Sequence, residues 1–326
     1  MNATEEAGRN VYNENQKHRY LEYRKKTNDD IAPILLSIFR KTSKLEETYN
    51  KDIYDFSREQ CEDLFYYLGL GTYSSIAFVY YSLCDYTDWC LSQGLVKDGM
   101  NHIRDIDYKN IGKYINRRIT DSKIVTREDV LHYMTLLNNP RDSLFLLSCF
   151  EFGVGREYKD FLNMELKDID EENHILHLLT RDVKISSEWI SIAKEAADTY
   201  EILSNVHEFD KPLVKKIKLE HTDKLFKNSV NIRANSSDKM LIQKRMARVF
   251  KSIKKTLGLP DAMKAQSIIN SGRIHYINEK CKSENVDSSE YIKNHINEIE
   301  NQFGLICNPY VFIREYGNYL TWGSHR

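Results

Sequence analysis

The chain has 326 residues, of which 41% are hydrophobic and 29% charged, and its formal net charge is −1 at pH 7. These values are typical of a globular protein of about two domains, and the balanced charge argues against a general nucleic-acid binder. No apolar run is long enough to cross a bilayer, and residues 1–20 lack an apolar signal core. We therefore expect a cytoplasmic protein without a membrane partner.

The six cysteines are scattered along the chain without the C-x-x-C spacing of metal sites. Most of them lie in apolar stretches, which is typical of buried thiols in a reducing compartment. We predict no disulfide frame and no zinc site, and the sequence indicates neither another metal nor a cofactor.

The first half of the chain predicts an arm, a helical domain and a linker. Residues 1–30 are polar and predict an N-terminal arm or a marginal helix. Residues 31–105 have apolar side chains at helical spacing and predict a small all-helical domain, in which the tyrosines and Trp89 of a helix capped by Ser74 or Ser75 belong to the core. Residues 106–124 form a basic linker with Arg117 and Arg118, which could follow a DNA backbone or could simply be solvated.

Residues 125–326 predict a second domain. A helix capped at Thr126 leads into a buried helix that begins at Asn139-Pro140 and ends before Gly153 and Gly155. Two short strands are predicted at 174–179 and 183–186. Further helices are predicted over 189–203, 240–257, 262–280, 289–303 and 309 to about 319. The fold class is therefore mainly α with a small β-hairpin or sheet.

Basic residues outnumber acidic ones between Lys211 and Lys255. Within this stretch the 240–257 helix has an apolar face and a basic face, and the basic face includes Lys244, Arg245, Arg248 and Lys251. A segregated basic surface attracts phosphates even when the total charge is near zero. A solvated helix face is the plainer interpretation of the same pattern.

The order of these elements is similar to that of the tyrosine recombinase (phage integrase) family over about residues 31–326. SSIAFVYYSLCDYTDWC from Ser74 resembles the core-binding domain of that family. VTREDVLHYMTLLNNPRDSLFLLSCFEFGVGREYKDFLNMELKDID from Val125 resembles the segment that leads into its first catalytic box. SIINSGRIHYI from Ser267 lies where the His-x-x-Arg box belongs, and FGLICNPYVFIREYGNYL from Phe303 lies where the nucleophilic tyrosine belongs. The resemblance implies a two-domain clamp around DNA in a bacterial host. The pattern also resembles the repressor of an SPβ-type prophage, which is built on this scaffold.

In that family a tyrosine attacks a DNA phosphodiester, two arginines bind the phosphate oxygens and a lysine protonates the leaving oxygen. This chain departs from the set at several positions. Glu157 takes the place of the first arginine, with Arg156 one residue early. Asn270 and Leu305 replace His-type residues, and Tyr316 lies about two residues late. The degenerate catalytic positions are Arg156, Lys184, Asn270, Arg273, Leu305 and Tyr316.

These departures favour a sequence-specific double-stranded DNA-binding protein without strand-cleavage activity, acting as a prophage repressor of lytic genes. The alternatives are an active recombinase that uses Tyr316 as nucleophile and a helical scaffold that binds protein. The expected partner is double-stranded DNA, with self-association and an unidentified phage-encoded regulator as further possibilities. The candidate DNA contacts are Arg117, Arg118, Arg156, Lys184, Lys244, Arg245, Arg248, Lys251 and Arg273.

Overall fold

The computed structural model describes residues 11–26, 31–155, 158–208, 211–230 and 239–320. The chain divides into two compact units, Met1–Thr120 and Asp121–Arg326. Helices predominate in both units and the β-structure is confined to small sheets. The predicted fold class is therefore confirmed.

The first unit is entirely helical over its described residues. Its elements are α1 (Glu14–Lys25), α2 (Ala32–Tyr49), a 3-10 turn (Ile53–Asp55), α3 (Arg58–Leu68), α4 (Tyr73–Ser92), a second 3-10 segment (Tyr108–Tyr114) and the start of α5 (Arg117–Asp121). A Ser57–Gln60 capping box begins α3. The cap of α4 is Thr72, whose side chain accepts a hydrogen bond from the Ser75 N–H, and not Ser74 or Ser75 as the sequence suggested. Tyr80 and Tyr86 of α4 are buried, as predicted, whereas Tyr81 is exposed.

Helix α1 lies within the residues that the sequence assigned to a polar arm. Its buried residues include Lys17, Tyr20 and Leu21, and the Lys17 side chain has no exposed area. The Lys17 ammonium donates to the Tyr12 carbonyl at 2.9 Å and to the Glu46 carboxylate, and it lies 3.8 Å from Asp52. A partnered ammonium can be buried, and this is how a helix of such polar sequence packs on the domain.

Residues 106–124, predicted as a linker, largely pack on the first unit. Ile111 and Tyr114 are buried in its core. The Asn116 N–H donates to the Leu70 carbonyl at 2.8 Å, and the Thr120 hydroxyl donates to the Gly71 carbonyl. The apolar residues among the lysines and arginines therefore fold this segment onto the loop that precedes α4.

The second unit combines helices with two antiparallel sheets. Its helices are α6 (Arg127–Leu136), α7 (Pro140–Glu151), α8 (Lys159–Asn163), α9 (Ser187–Ala197), α10 (Lys239–Leu257), α11 (Ala265–Glu284), α12 (Ser288–Asn294), α13 (Ile296–Phe303) and α14 (Pro309–Tyr316). The first sheet has the order β1 (Ile169–Asp170), β2 (Ile175–His177), β3 (Asp182–Lys184), and the second pairs β4 (Glu201–Glu208) with β5 (Lys211–Lys218). The register aligns Leu176 with Val183 in the first sheet and Ile202 with Ile217 in the second.

Two helix predictions in this unit need correction. The helix predicted over 189–203 ends at Ala197, and the chain enters β4 at Glu201. The apolar pair Ile202-Leu203 extends the helical pattern by chance, whereas in the structure it belongs to a strand. The helix predicted over 289–303 is two helices, α12 and α13, with His295 between them.

The core of the second unit forms around α7, which packs against α9 and α11. Leu144, Leu147 and Phe150 of α7 are fully buried, as the apolar pattern predicted. Gly272 lets α11 lie against α7, because a Cβ atom at that position would sit 1.7 Å from the Phe150 carbonyl oxygen. This close contact places the stretch from Asn270 to Arg273 against the end of α7.

A carboxylate joins three helices elsewhere in this unit. Glu298 of α13 accepts hydrogen bonds from the hydroxyls of Tyr276 at 2.6 Å and Tyr291 at 3.2 Å. Its oxygens also lie 2.8 Å from the Lys280 ammonium and 3.4 Å from the His295 ring. The Glu298 side chain keeps 40% of its exposure, so these contacts form at the surface.

All six cysteines are buried and none forms a disulfide. Two lie in α4, one in α3, one in α7, one in α11 and one before α14. Burial raises the pKa of the Cys61 thiol to about 12, so this thiol is protonated at neutral pH. The prediction of buried, unpaired thiols is thus confirmed.

Candidate nucleic-acid interface

Helix α10 separates an apolar face from a cationic face. Met246, Phe250 and Ile253 are buried, whereas Lys244, Arg248 and Lys251 are exposed. We call these three exposed side chains the α10 cations. None of them forms an ion pair with another described residue, whereas Lys254 on the same helix lies 3.2 Å from Asp261. The Arg245 side chain lies outside the described residues. The α10 cations are therefore available to an anionic partner.

Arg273 of α11 has the opposite character, because it is buried and donates a hydrogen bond within the protein. Its exposed fraction is 5%, and its Nη2 donates to the Leu305 carbonyl at 3.0 Å. The guanidinium also lies 5.6 Å from the centre of the Phe303 ring. Burial lowers the pKa of Arg273, although Cys307, Tyr316 and Glu300 oppose this effect.

Tyr316 of α14 is bound by Asn270 of α11. The Asn270 amide nitrogen donates to the Tyr316 hydroxyl oxygen at 2.7 Å, and the Asn270 carbonyl oxygen accepts from Gln266 at 3.0 Å. Burial raises the pKa of Tyr316 more than the Asn270 contact lowers it. A tyrosine must lose its proton to attack phosphorus, and Asn270 donates to this phenol and does not accept from it.

The remaining predicted site residues of this unit do not join that pair. Lys184 of β3 donates through its ammonium to the Asn173 carbonyl at 3.3 Å, and it has no contact with Arg273 or Tyr316 among the described residues. Leu305 packs its side chain against the core and offers its carbonyl to Arg273. Arg156 and Glu157 lie outside the described residues.

In the first unit, Arg117 and Arg118 are exposed on the first turn of α5. Neither forms an ion pair with another residue that the structure describes. They lie next to Asn116, whose backbone is bound to Leu70, so the start of α5 is held in place while the two guanidinium groups face solvent.

Sequence reasoning missed Arg181, which lies in the turn between β2 and β3. It falls between the two strands predicted at 174–179 and 183–186, where an exposed turn is expected, but only 9% of it is exposed. Its partners are about 30 residues away at Phe152 and about 120 residues away at Asn301 and Gln302. Since turns normally carry solvated charges, nothing in the local sequence signals this burial.

Two classes of site receive no support from the geometry. No group of three or more His, Cys, Asp or Glu side chains could hold a metal ion within the described ranges. Over the same ranges, no helix has the length and apolar character to cross a bilayer.

The two units and the order of their elements define a protein with a tyrosine recombinase-like, two-domain architecture. Residues 11–92 match the family described as "MrpR, N-terminal core-binding domain", and residues 124–318 match "MrpR, C-terminal catalytic domain". The chain belongs to this MrpR family. The expected resemblance to recombinases is thereby confirmed at the level of fold and domain order.

A prophage protein is among the relatives of this chain. The chain is 26% identical over 196 residues to the SPbeta prophage-derived uncharacterized protein YopR of Bacillus subtilis (strain 168). The match covers 57% of this chain and 58% of that protein, so it spans less than two thirds of the relative's length. It links the chain to prophage proteins.

Proposed function

We propose that the protein is a sequence-specific double-stranded DNA-binding regulator that does not cleave DNA and that represses lytic genes of a prophage. Three findings support the proposal: the recombinase-like domain pair, the prophage relative and the state of the former catalytic positions. Binding requires cationic and base contacts only, so it can persist after the chemistry is lost.

The main evidence against cleavage is the hydrogen bond from the Asn270 amide to the Tyr316 hydroxyl, beside the buried Arg273. The phenol faces an amide N–H donor where a nucleophile needs a proton acceptor. The guanidinium that would bind a phosphate in a recombinase donates to the Leu305 carbonyl of the same chain. Loss of a single phosphate-binding donor typically reduces such rates by about 100- to 1000-fold.

DNA binding rests on different residues. The α10 cations are exposed and lack partners among the described side chains, and Arg117 and Arg118 of the first unit are exposed as well. Each lysine or arginine that neutralises one phosphate releases about one counterion, so affinity should fall steeply with salt.

The first experiment selects duplexes from a random-sequence library with the full-length protein and analyses the bound fraction on a denaturing gel. We expect enrichment of a defined sequence and no covalent protein–DNA adduct, including on nicked duplexes of the selected sequence. An adduct that disappears in Tyr316→Phe would establish the recombinase alternative and remove the proposal. Absence of any DNA retention at low salt would favour a protein-binding scaffold.

The α10 cations are tested by Arg248→Gln, with Lys282→Gln at an exposed position of α11 as the matched control. We expect Arg248→Gln to weaken binding of the selected duplex and to lower the slope of log Kd against log salt by about one. Lys282→Gln should leave both quantities at wild-type values. An Arg248→Gln protein with unchanged affinity and slope would contradict this assignment of the interface. Repression itself is tested with a reporter gene placed behind the selected sequence.

A further inference from the structure

Arg181 is a buried cation whose place in the fold needs an explanation. Its side chain keeps 4% of its exposure, although arginines in hairpin turns are usually solvated. Burial of an unpaired guanidinium is strongly unfavourable, so the protein must supply acceptors for it. The positions of those acceptors indicate what the residue does.

The first acceptors are main-chain carbonyls from two separate segments. Nη1 of Arg181 donates to Asn301 at 3.2 Å and to Gln302 at 3.4 Å, both in the last turn of α13. Nη2 donates to the Phe152 carbonyl at 3.4 Å, directly after α7. Carbonyls at a helix C-terminus lack partners within the helix and carry partial negative charge, so a cation is stabilised there.

The third partner is Asp160 of α8. Its Oδ2 lies 3.6 Å from Nε of Arg181, and it accepts from the neighbouring Thr180 hydroxyl at 3.1 Å. Asp160 is itself almost fully buried. The two consecutive turn residues Thr180 and Arg181 thus tie the β2–β3 turn to α8.

Gly304 makes room for the guanidinium. It has a φ of +62°, which disfavours side chains other than glycine. A Cβ atom at position 304 would also lie 2.1 Å from Nη1 of Arg181. Gly304 directly precedes Leu305, whose carbonyl binds Arg273. Both buried arginines therefore bind carbonyls of the segment from Asn301 to Leu305, Arg181 in the last turn of α13 and Arg273 just after that helix.

We propose that Arg181 is a positioning residue for DNA binding: it fixes the β2–β3 hairpin, the end of α7 and the end of α13 as one surface without contacting DNA itself. The inference rests on the proposed function. The hairpin carries Lys184, whose exposed side chain is a candidate DNA contact and whose backbone is bound on both sides by the Gln302 amide, at 3.1 and 2.8 Å. Loss of Arg181 would remove one of several attachments of this hairpin to α13, which also include the bond from the Asn301 amide to the Asp182 carbonyl at 3.0 Å.

The test compares Arg181→Lys with wild type in the full-length protein. Lysine keeps the charge but lacks the planar fork that reaches acceptors on several segments. The probe is the duplex selected by the wild-type protein, and its Kd is measured between about 50 and 200 mM NaCl. Lys282→Gln is again the matched control, because Lys282 is exposed on α11 of the same unit.

We expect Arg181→Lys to bind about tenfold more weakly with the wild-type salt slope, because no phosphate contact is lost. Lys282→Gln should bind like wild type. A folded Arg181→Lys protein with wild-type affinity would overturn the inference, since the residue would then serve stability alone. A salt slope lowered by about one would overturn it as well, since Arg181 would then contact a phosphate.

Urea unfolding identifies variants that do not fold. If Arg181→Lys lacks a cooperative transition, Thr180→Val replaces it. This variant removes the hydroxyl bond to Asp160 and leaves the guanidinium in place. It should weaken binding by about threefold at an unchanged slope, and wild-type affinity would again overturn the inference. Failure of the wild-type protein to bind any duplex would instead remove the proposed function and the inference together.

Discussion

Each unit contains a glutamate bound by several donors, yet the two glutamates differ in their response to acid. Glu46 of the first unit is fully buried. Burial raises its pKa to about 7, and the Lys17 ammonium offsets only part of this effect. Burial also opposes ionisation of Glu298 in the second unit, but hydrogen bonds from Lys280, Tyr276 and Tyr291 outweigh it and lower the pKa to about 2.

The extent of burial, more than the number of donors, decides whether the pKa of such a carboxyl is raised or lowered. A folded-state pKa above the unfolded value stabilises the fold at low pH, and this contribution is lost as pH rises through the folded value. A folded-state pKa below the unfolded value stabilises the fold at higher pH, and this contribution is lost as pH falls. Acid should therefore change the stability contributions of Glu46 and Glu298 in opposite directions.

Lys17→Met removes the buried cation of the first unit and should lower the stability of the protein more than the other changes described below. Removal of the ammonium leaves Glu46 and Asp52 buried without their cation, which typically costs about 3–5 kcal/mol. The measurement is urea unfolding at pH 8, with the unfolded fraction of each unit read by hydrogen-exchange mass spectrometry. Lys41→Met, at an exposed position of α2, is the control and should cost little. A loss under about 1 kcal/mol in Lys17→Met would mean that the ion pair is dispensable.

The stability of the first unit should depend on pH through Glu46. Glu46 has an ordinary pKa of 4.5 and a folded-state pKa of about 7. Its contribution is therefore fully present below about pH 4.5 and lost as pH rises through about 7. We expect the urea midpoint of the first unit to fall between pH 5 and pH 8, and Glu46→Gln to flatten this dependence. A midpoint that rises over this range, with the same slope in Glu46→Gln, would show that another group controls it.

The second unit should show the smaller and opposite effect. Glu298 contributes stability above about pH 4.5, and this contribution is lost as pH falls towards its folded-state pKa of about 2. The urea midpoint of the second unit should decrease from pH 4.5 to pH 3 in wild type and less steeply in Glu298→Gln. The effect is moderated by solvent screening, because the side chain is 40% exposed. If the urea midpoint fell equally steeply in wild type and Glu298→Gln, Glu298 would not be the group that controls this pH dependence.

Local sequence patterns predicted those parts of the fold that depend on neighbouring residues. The apolar faces of α7 and α10 repeat at helical spacing, and both helices form where the pattern indicated. The predicted end of α9 was wrong because Ile202 and Leu203 suit a helix and a strand equally well. Lys17 could not be assigned to the core, since Glu46 lies 29 residues further along the chain and α1 has little apolar character.

The candidate site was predicted less completely than the fold. The exposure of Lys244, Arg248 and Lys251 follows from the period of one helix, so the sequence suffices for it. Arg273 binds a residue 32 positions further along the chain, and Asn270 binds one 46 positions further along. Both contacts therefore depend on tertiary packing, which the local sequence does not reveal. Arg181 was missed for the same reason, because its partners come from three distant segments.

The burial of all six cysteines has a consequence for chemical labelling. Thiol-reactive dyes need an accessible thiolate, and the native thiols are shielded in the folded protein. A single cysteine introduced at an exposed lysine, such as Lys41 in the first unit or Lys282 in the second, would therefore react selectively with a maleimide. Each unit could then carry its own fluorophore in an otherwise native chain, so that each unfolding transition has a separate signal.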